Sequence, residues 1–192
     1  MKLILASTSP RRAEVLRAAG FHFQMLSSAV DETPMPGESP QDLIRRLALA
    51  KANLVAARAL GTAIVLAADT VVELEGRALG KPSSTDDARS MLEQLSGRTH
   101  AVHTGVALIR LPDAEHRVAV ETTLVSFARL ERQDILEYLA SGEPFDKAGA
   151  YAIQGRAGRF ITRIEGCYFN VVGLPLARVD SLLRQLGWSE AF

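Results

Sequence analysis

Leu3-Ile4-Leu5-Ala6-Ser7-Thr8-Ser9-Pro10-Arg11-Arg12 runs from an apolar tetrapeptide through three hydroxyl-bearing residues and a proline to two arginines. A short apolar run of this kind forms a buried strand, and proline suits the first turn of a helix, so the segment predicts a strand feeding a helix. The loop between them has anion-binding chemistry: helix N-termini carry unpaired N–H groups and partial positive charge, and a guanidinium offers a planar fork matched to phosphate oxygens. The same residues also describe an ordinary capped helix with two solvated arginines. The rest of the chain has to separate these readings.

Working outward, a helix over 11–19 stops at Gly20 with Val15, Leu16 and Ala19 as its apolar stripe, and Phe21 to Leu26 reads as a second strand. Asp31-Glu32-Thr33-Pro34-Met35-Pro36-Gly37 is a loop by composition, and Ser39-Pro40 starts a long helix reaching about Leu60. Ala63 to Ala68 is a continuous apolar strand ending at Asp69-Thr70, after which Glu73 to Arg77 turns the chain into Gly80-Lys81-Pro82. Thr85 caps a helix ending near Gly97, and His100–Leu111 and Arg117–Phe127 form two strands joined around Pro112-Asp113. A short helix over Gln133–Ala140, a turn-rich stretch from Gly142 to Gly158, a hairpin through Gly166, and a terminal amphipathic helix complete the chain. Helix and strand signals alternate without repeat or composition break, which predicts one α/β domain spanning residues 1–192.

Bulk properties exclude several classes. Lysine plus arginine and aspartate plus glutamate balance at 22 each, so composition gives no net attraction to a nucleic acid polymer. The single Cys167 rules out an internal disulfide. The apolar run after Lys2 is too short for a signal-peptide core, and nothing approaches the ~18 consecutive apolar residues of a membrane helix. A cytoplasmic protein with no membrane partner is expected.

Asp69 is the sharpest single residue: a carboxylate closing an apolar strand sits where open α/β sheets place ligands, the lesser alternative being that it caps a turn. Lys51 falls at 100° per residue within the apolar sector of Leu43, Ile44, Leu47, Leu54 and Val55, where an ammonium must snorkel or pair. Lys81, between glycine and proline, offers a second point charge. Glu32, with Asp69, would satisfy a magnesium ion, which needs one or two carboxylates besides phosphate and water. His100 and His103, three apart in a strand, face opposite sides, so no structural zinc is expected. Cys167 reads as a packed thiol. No Gly-x-Ser-x-Gly elbow or Walker loop is present, which disfavours acyl transfer and P-loop chemistry.

The set Ser7-Thr8-Ser9-Pro10-Arg11-Arg12, Ala68-Asp69-Thr70, Gly80-Lys81-Pro82, Leu95-Ser96-Gly97-Arg98-Thr99-His100, Asp146-Lys147-Ala148-Gly149-Ala150-Tyr151 and Asn170-Val171-Val172-Gly173-Leu174-Pro175 resembles the Maf family of nucleoside triphosphate pyrophosphatases. The resemblance implies cleavage between α and β phosphates with a divalent cation, Mg²⁺ or Mn²⁺. It also implies a mixed central sheet with flanking helices forming two lobes around a cleft, as in the inosine triphosphate pyrophosphatases, and a homodimer. Carried over residue by residue, it puts the catalytic carboxylate on Asp69 and supporting roles on Glu32, Lys51 and Lys81, with metal on Asp69 and Glu32. Ser7, Ser9 and Arg12 would hold phosphates, and Arg11, Thr70 and Gln154 match positions tied to substrate choice. By the same resemblance, Gln154, in Ala150-Tyr151-Ala152-Ile153-Gln154-Gly155, favours the branch acting on thymidine and uridine triphosphates; its amide suits the O4 acceptor and N3–H donor of those bases, although the same amide could serve another base. The alternatives are the 7-methylguanosine triphosphate branch and a nucleotide-sensing regulator of septum formation. Phe169 and Cys167 depart from the family pattern, and both are expected to touch only the cleft wall.

Overall fold

A computed structural model describes residues 1–189; residues 190–192, part of the expected domain span, lie outside the described residues. Its frame is one seven-stranded mixed sheet in the order β2-β1-β3-β5-β6-β7, with β4 paired to β3 off this path. The strands are β1 (Lys2–Ala6), β2 (Gln24–Leu26), β3 (Ala63–Leu74), β4 (Arg77–Leu79), β5 (Thr99–Leu111), β6 (His116–Phe127) and β7 (Ile161–Glu165). The helices are α1 (Pro10–Ala18), α2 (Pro40–Ala56), α3 (Thr85–Leu95), α4 (Arg132–Ala140), α5 (Tyr168–Val172) and α6 (Leu176–Gln185). None of the described helices is long and apolar enough to cross a membrane.

The sheet buries both faces. Leu3, Leu5, Ile64, Leu66 and Leu108 pack with Leu16 of α1 and Val179 and Leu183 of α6. The alternate residues Ile4, Ala6, Val65, Ala67 and Ile109 face Ala48, Ala52 and Val55 of α2. Farther along the first face, Val72, Leu74, Val102 and Val125 meet Leu92 of α3 and Tyr138 of α4. The α1/α6 group and the α3/α4 group are therefore two lobes standing on one sheet.

Several expected boundaries differ, and the bonding explains four of them. Phe21 does not begin a strand: its N–H bonds the carbonyl of Leu16 at 3.0 Å and that of Gly20 bonds Arg17 at 3.0 Å, with Gly20 at φ +87°. This is a Schellman ending, and it commits Phe21 to capping α1. The strand of Asp69 does not end there but runs on to Leu74, because β5 pairs with it continuously from Ala63 to Glu73. Ser84, not Thr85, caps α3, its Oγ accepting from the N–H of Asp87 at 3.1 Å. Beyond Gly166 the chain forms the short helix α5 instead of a second hairpin strand.

Candidate functional site

The cleft is a split in the sheet. One edge of β3 is covered from Ala63 to Glu73 by β5, while the other pairs with β1 only over Ala63–Leu66 and with β4 only over Val72–Leu74. Between these partners the edge at Ala67–Val71 is unpaired, and Asp69 sits at its centre. A hollow of about 670 Å³ opens there, and Ser7, Ser9, Arg11, Arg12, Glu32, Lys51, Asp69, Thr70, Lys81 and Gln154 all line it. The rule that ligands bind beyond the carboxyl ends of parallel strands applies through β1, which stops at Ala6, while β3 itself continues.

Asp69 and Thr70 project to opposite sides of β3, as neighbours on a strand must. On the α2 side, Lys51 places its Nζ 2.6 Å from Glu32 Oε1 and 2.6 Å from Asp69 Oδ1. The expected choice between snorkelling and pairing is thus resolved as pairing, with only 8% of Lys51 exposed. Helix α2 comes close enough because Gly105, opposite Asp69 in register, has no side chain: a Cβ there would lie 2.5 Å from the carbonyl oxygen of Ile44. The loop carboxylates divide their work. Asp31 Oδ1 accepts locally from the N–H and hydroxyl of Thr33 at 2.9 and 2.6 Å, leaving Glu32 to reach Lys51. Burial pushes the Glu32 carboxyl up, but the hydrogen bond and charge of Lys51, with Lys81 and Arg12 beyond, outweigh it and hold the group below its ordinary range.

On the other side of β3, Arg12 is fixed by three contacts: Nε donates to the carbonyl of Gly173 at 2.8 Å, and its terminal nitrogens donate to Ser7 Oγ at 3.3 Å and Thr70 Oγ1 at 3.2 Å. Two of its five N–H groups stay free for a ligand. Burial lowers the Arg12 pKa, and Asp69 is the largest opposing influence. Gly173 is at φ +112°, a conformation that only glycine adopts without strain, and this brings its carbonyl to the guanidinium. Ser9 is the N-cap of α1, yet its hydroxyl makes no capping bond, so the first-turn N–H groups of Arg11 and Arg12 are not spent on a side chain. Ser7 instead stiffens the loop, its Oγ accepting from the N–H of Ser9 at 3.1 Å.

Several of the expected residues also bond one another within the protein. Thr70, expected to touch substrate, supports Arg12 and Thr104, the latter at 3.0 Å. Lys51, expected to face phosphate, is committed to the two carboxylates, leaving Lys81, exposed on the rim and without a hydrogen-bond partner among the described residues, as the freer lysine. Cys167 and Phe169 do not line the cleft: Cys167 borders a separate shallow hollow with Glu121 and Arg178. Sequence reasoning gave no role to Asp146 and Lys147, although both line the cleft and Asp146 faces Arg11 across it at 3.6 Å; their place within the Asp-Lys-Ala-Gly-Ala-Tyr motif was the available signal. His100 and His103 do face opposite sides, one bonding Tyr151 and the other Glu73 and Thr122.

Among the described residues no three His, Cys, Asp or Glu side chains gather into a metal cage. Glu32 and Asp69 each have one oxygen engaged by Lys51 and a second with no hydrogen-bond partner among the described residues. Two open carboxylate oxygens beside this hollow fit a hard divalent cation that completes its shell with phosphate and water.

The same mixed-sheet α/β fold occurs in the Ham1 protein of Staphylococcus aureus, with a TM-score of 0.53 at 16% identity, covering 97% of this chain and 100% of that one. Within that fold class, the chain belongs to the Maf family: the family described as Maf-like protein matches residues 2–186. It is similar to a Symbiobacterium thermophilum protein named dTTP/UTP pyrophosphatase, 52% identical over 187 residues, covering 97% of this chain and 95% of the relative. A Pelotomaculum thermopropionicum protein of the same name is 48% identical over 188 residues, covering 98% of both.

Proposed function

We propose that this protein is a dTTP/UTP pyrophosphatase, hydrolysing the bond between the α and β phosphates to release nucleoside monophosphate and pyrophosphate. The observation that carries the reading is the convergence of Arg12, Lys51, Asp69 and Lys81 on one cleft, together with the shared name of relatives near 50% identity. Arg12, the N-terminus of α1 and Lys81 neutralise the triphosphate and the departing pyrophosphate, the electrostatic positioning that dominates phosphoryl chemistry. Lys51 holds Glu32 in its ionised form and ties it and Asp69 to the same point. One of these carboxylates orients the attacking water and takes its proton, and Gln154 meets the imide edge of the base. A Mg²⁺ or Mn²⁺ ion, held by the open oxygens of Asp69 and Glu32, would screen phosphate charge and draw electrons from the reacting phosphorus. A homodimer, implied by the family resemblance, belongs to the same reading and is checked by sedimentation.

The test is to incubate the protein with Mg²⁺ and thymidine, uridine, cytidine and 7-methylguanosine triphosphates, and to identify the phosphate species released. Pyrophosphate from the thymidine and uridine forms is expected, and orthophosphate alone would contradict the bond proposed. Asp69→Asn should lower turnover at least ~100-fold, the low end for losing a general base.

A further inference from the structure

Gln154 lies in a tight turn, Ala152–Arg156, closed by the N–H of Gly155 bonding the carbonyl of Ala152 at 3.1 Å. Both ends of this turn are held by one pair of side chains outside the cleft. Tyr138 of α4 presents its hydroxyl to the N–H of Ala152 at 3.4 Å and donates to Glu143 Oε1 at 2.9 Å. The second oxygen of Glu143, Oε2, accepts the N–H of Arg156 at 3.0 Å. The approach is so close that a Cβ on Gly155 would lie 2.0 Å from Glu143 Oε1. Glu143 also accepts Lys147 Nζ on its own carbonyl at 2.7 Å, so one residue ties two segments of the cleft wall together. Burial, then Glu143 itself, push the Tyr138 hydroxyl pKa up, which keeps it protonated and donating.

We propose that Glu143, acting through Tyr138, is a positioning residue for base selectivity: it clamps the turn at both ends so that the Gln154 amide is held at the angle that matches a pyrimidine imide. This rests on the reading that Gln154 meets the base. The clamp touches neither the carboxylates nor the phosphate corner, so loosening it weakens recognition without altering hydrolysis. Glu143→Gln replaces a carboxylate that accepts one bond on each oxygen with an amide whose nitrogen meets one of the two donors as another donor, and Tyr138→Phe removes the hydroxyl while keeping the ring packed on Phe160.

The experiment measures kcat and KM for UTP and ATP in wild type, Glu143→Gln, Tyr138→Phe, Gln154→Ala and the Glu143→Gln/Gln154→Ala double variant. Amide hydrogen exchange of 152–156 is followed in parallel. Either clamp variant should raise KM for UTP about tenfold, the order of one charge-assisted hydrogen bond, with kcat within about twofold and ATP kinetics unmoved. Exchange at 152–156 should quicken, and Glu143→Gln should add less than about twofold on the Gln154→Ala background, because the two changes remove one interaction. Equal loss toward UTP and ATP, a full additional loss in the double variant, or unchanged exchange would overturn the proposal. A wild-type enzyme that favours UTP no more than ATP would instead sink the substrate reading, and the exchange measurement would then decide alone whether the clamp holds the turn.

Discussion

Replacing Lys51 by methionine removes the charge that joins Glu32 to Asp69 while keeping most of the apolar stem among the residues of α2. Removing one partner of a fully buried ion pair costs about 3 to 5 kcal/mol, because the remaining charge is left uncompensated. Here the side chain of Asp69 is 15% exposed and that of Glu32 54% exposed, so Glu32 can swing into water and only Asp69 keeps most of the penalty. About 2 kcal/mol is the resulting expectation, or roughly 4 to 8 °C in Tm for a chain of this size. The sign of a second effect is more telling. Two carboxylates and one ammonium carry a net charge of −1, and the variant raises this to −2, so Mg²⁺ should stabilise Lys51→Met more than it stabilises wild type while turnover falls. Thermal unfolding with and without millimolar Mg²⁺ measures both effects. A Tm unchanged by the substitution, or a Mg²⁺ shift no larger in the variant, would refute the view of Lys51 as the electrostatic link between the carboxylates.

Three further outcomes follow from other parts of the structure. His100 is buried, and desolvation lowers its pKa from 6.5 to about 4; the stability it supports is full above pH 6.5 and is lost as pH falls toward 4, about 3 kcal/mol in all. His100→Gln should therefore show a shallower decline than wild type in urea unfolding between about pH 7.5 and 4.5, and parallel slopes would show that His100 does not titrate this way. Gly105→Ala drives a methyl into the Ile44 carbonyl and should destabilise by about 1 to 3 kcal/mol, with turnover falling further than stability as α2 carries Lys51 away from Asp69; wild-type activity in this variant would disprove the close-approach argument. Arg12→Lys keeps the charge but loses the planar fork, and kcat/KM should fall about 10- to 100-fold, the equivalent of one charged hydrogen bond, measured as pyrophosphate release.

The legible part of this protein is what depends on neighbours along the chain. The strand and helix at Leu3–Arg12, the Ser39-Pro40 cap of α2 and the apolar run of β3 are local preferences, and each was readable because period and capping act within a few residues. Period alone misplaces two boundaries: Phe21 is taken by the Leu16 carbonyl in the ending of α1, a local effect that outcompetes its strand preference, and β3 runs past Asp69 because the distant β5 continues to pair with it. Cys167 and Phe169, expected at the cleft wall as departures from the family pattern, do not line the cleft.

The candidate site divides along the same line. Residue types alone could single out Lys51 and Asp69, because a lysine in an apolar helical sector and a carboxylate in an apolar strand violate local rules wherever they are found; Arg12 and Lys81 gain weight from the resemblance of their motifs. Their meeting could not be read, since it depends on β1 and β4 covering β3 only at its two ends and on Gly105 admitting α2 to the sheet. Nothing in the sequence marks Glu143 either: an ordinary loop glutamate becomes a clamp only because folding brings the turn around Gln154 against it. Sequence determined which groups were available, through chemistry carried by each residue on its own; tertiary structure decided which of them act together, because distances between segments far apart in the chain are set by sheet pairing and helix packing alone.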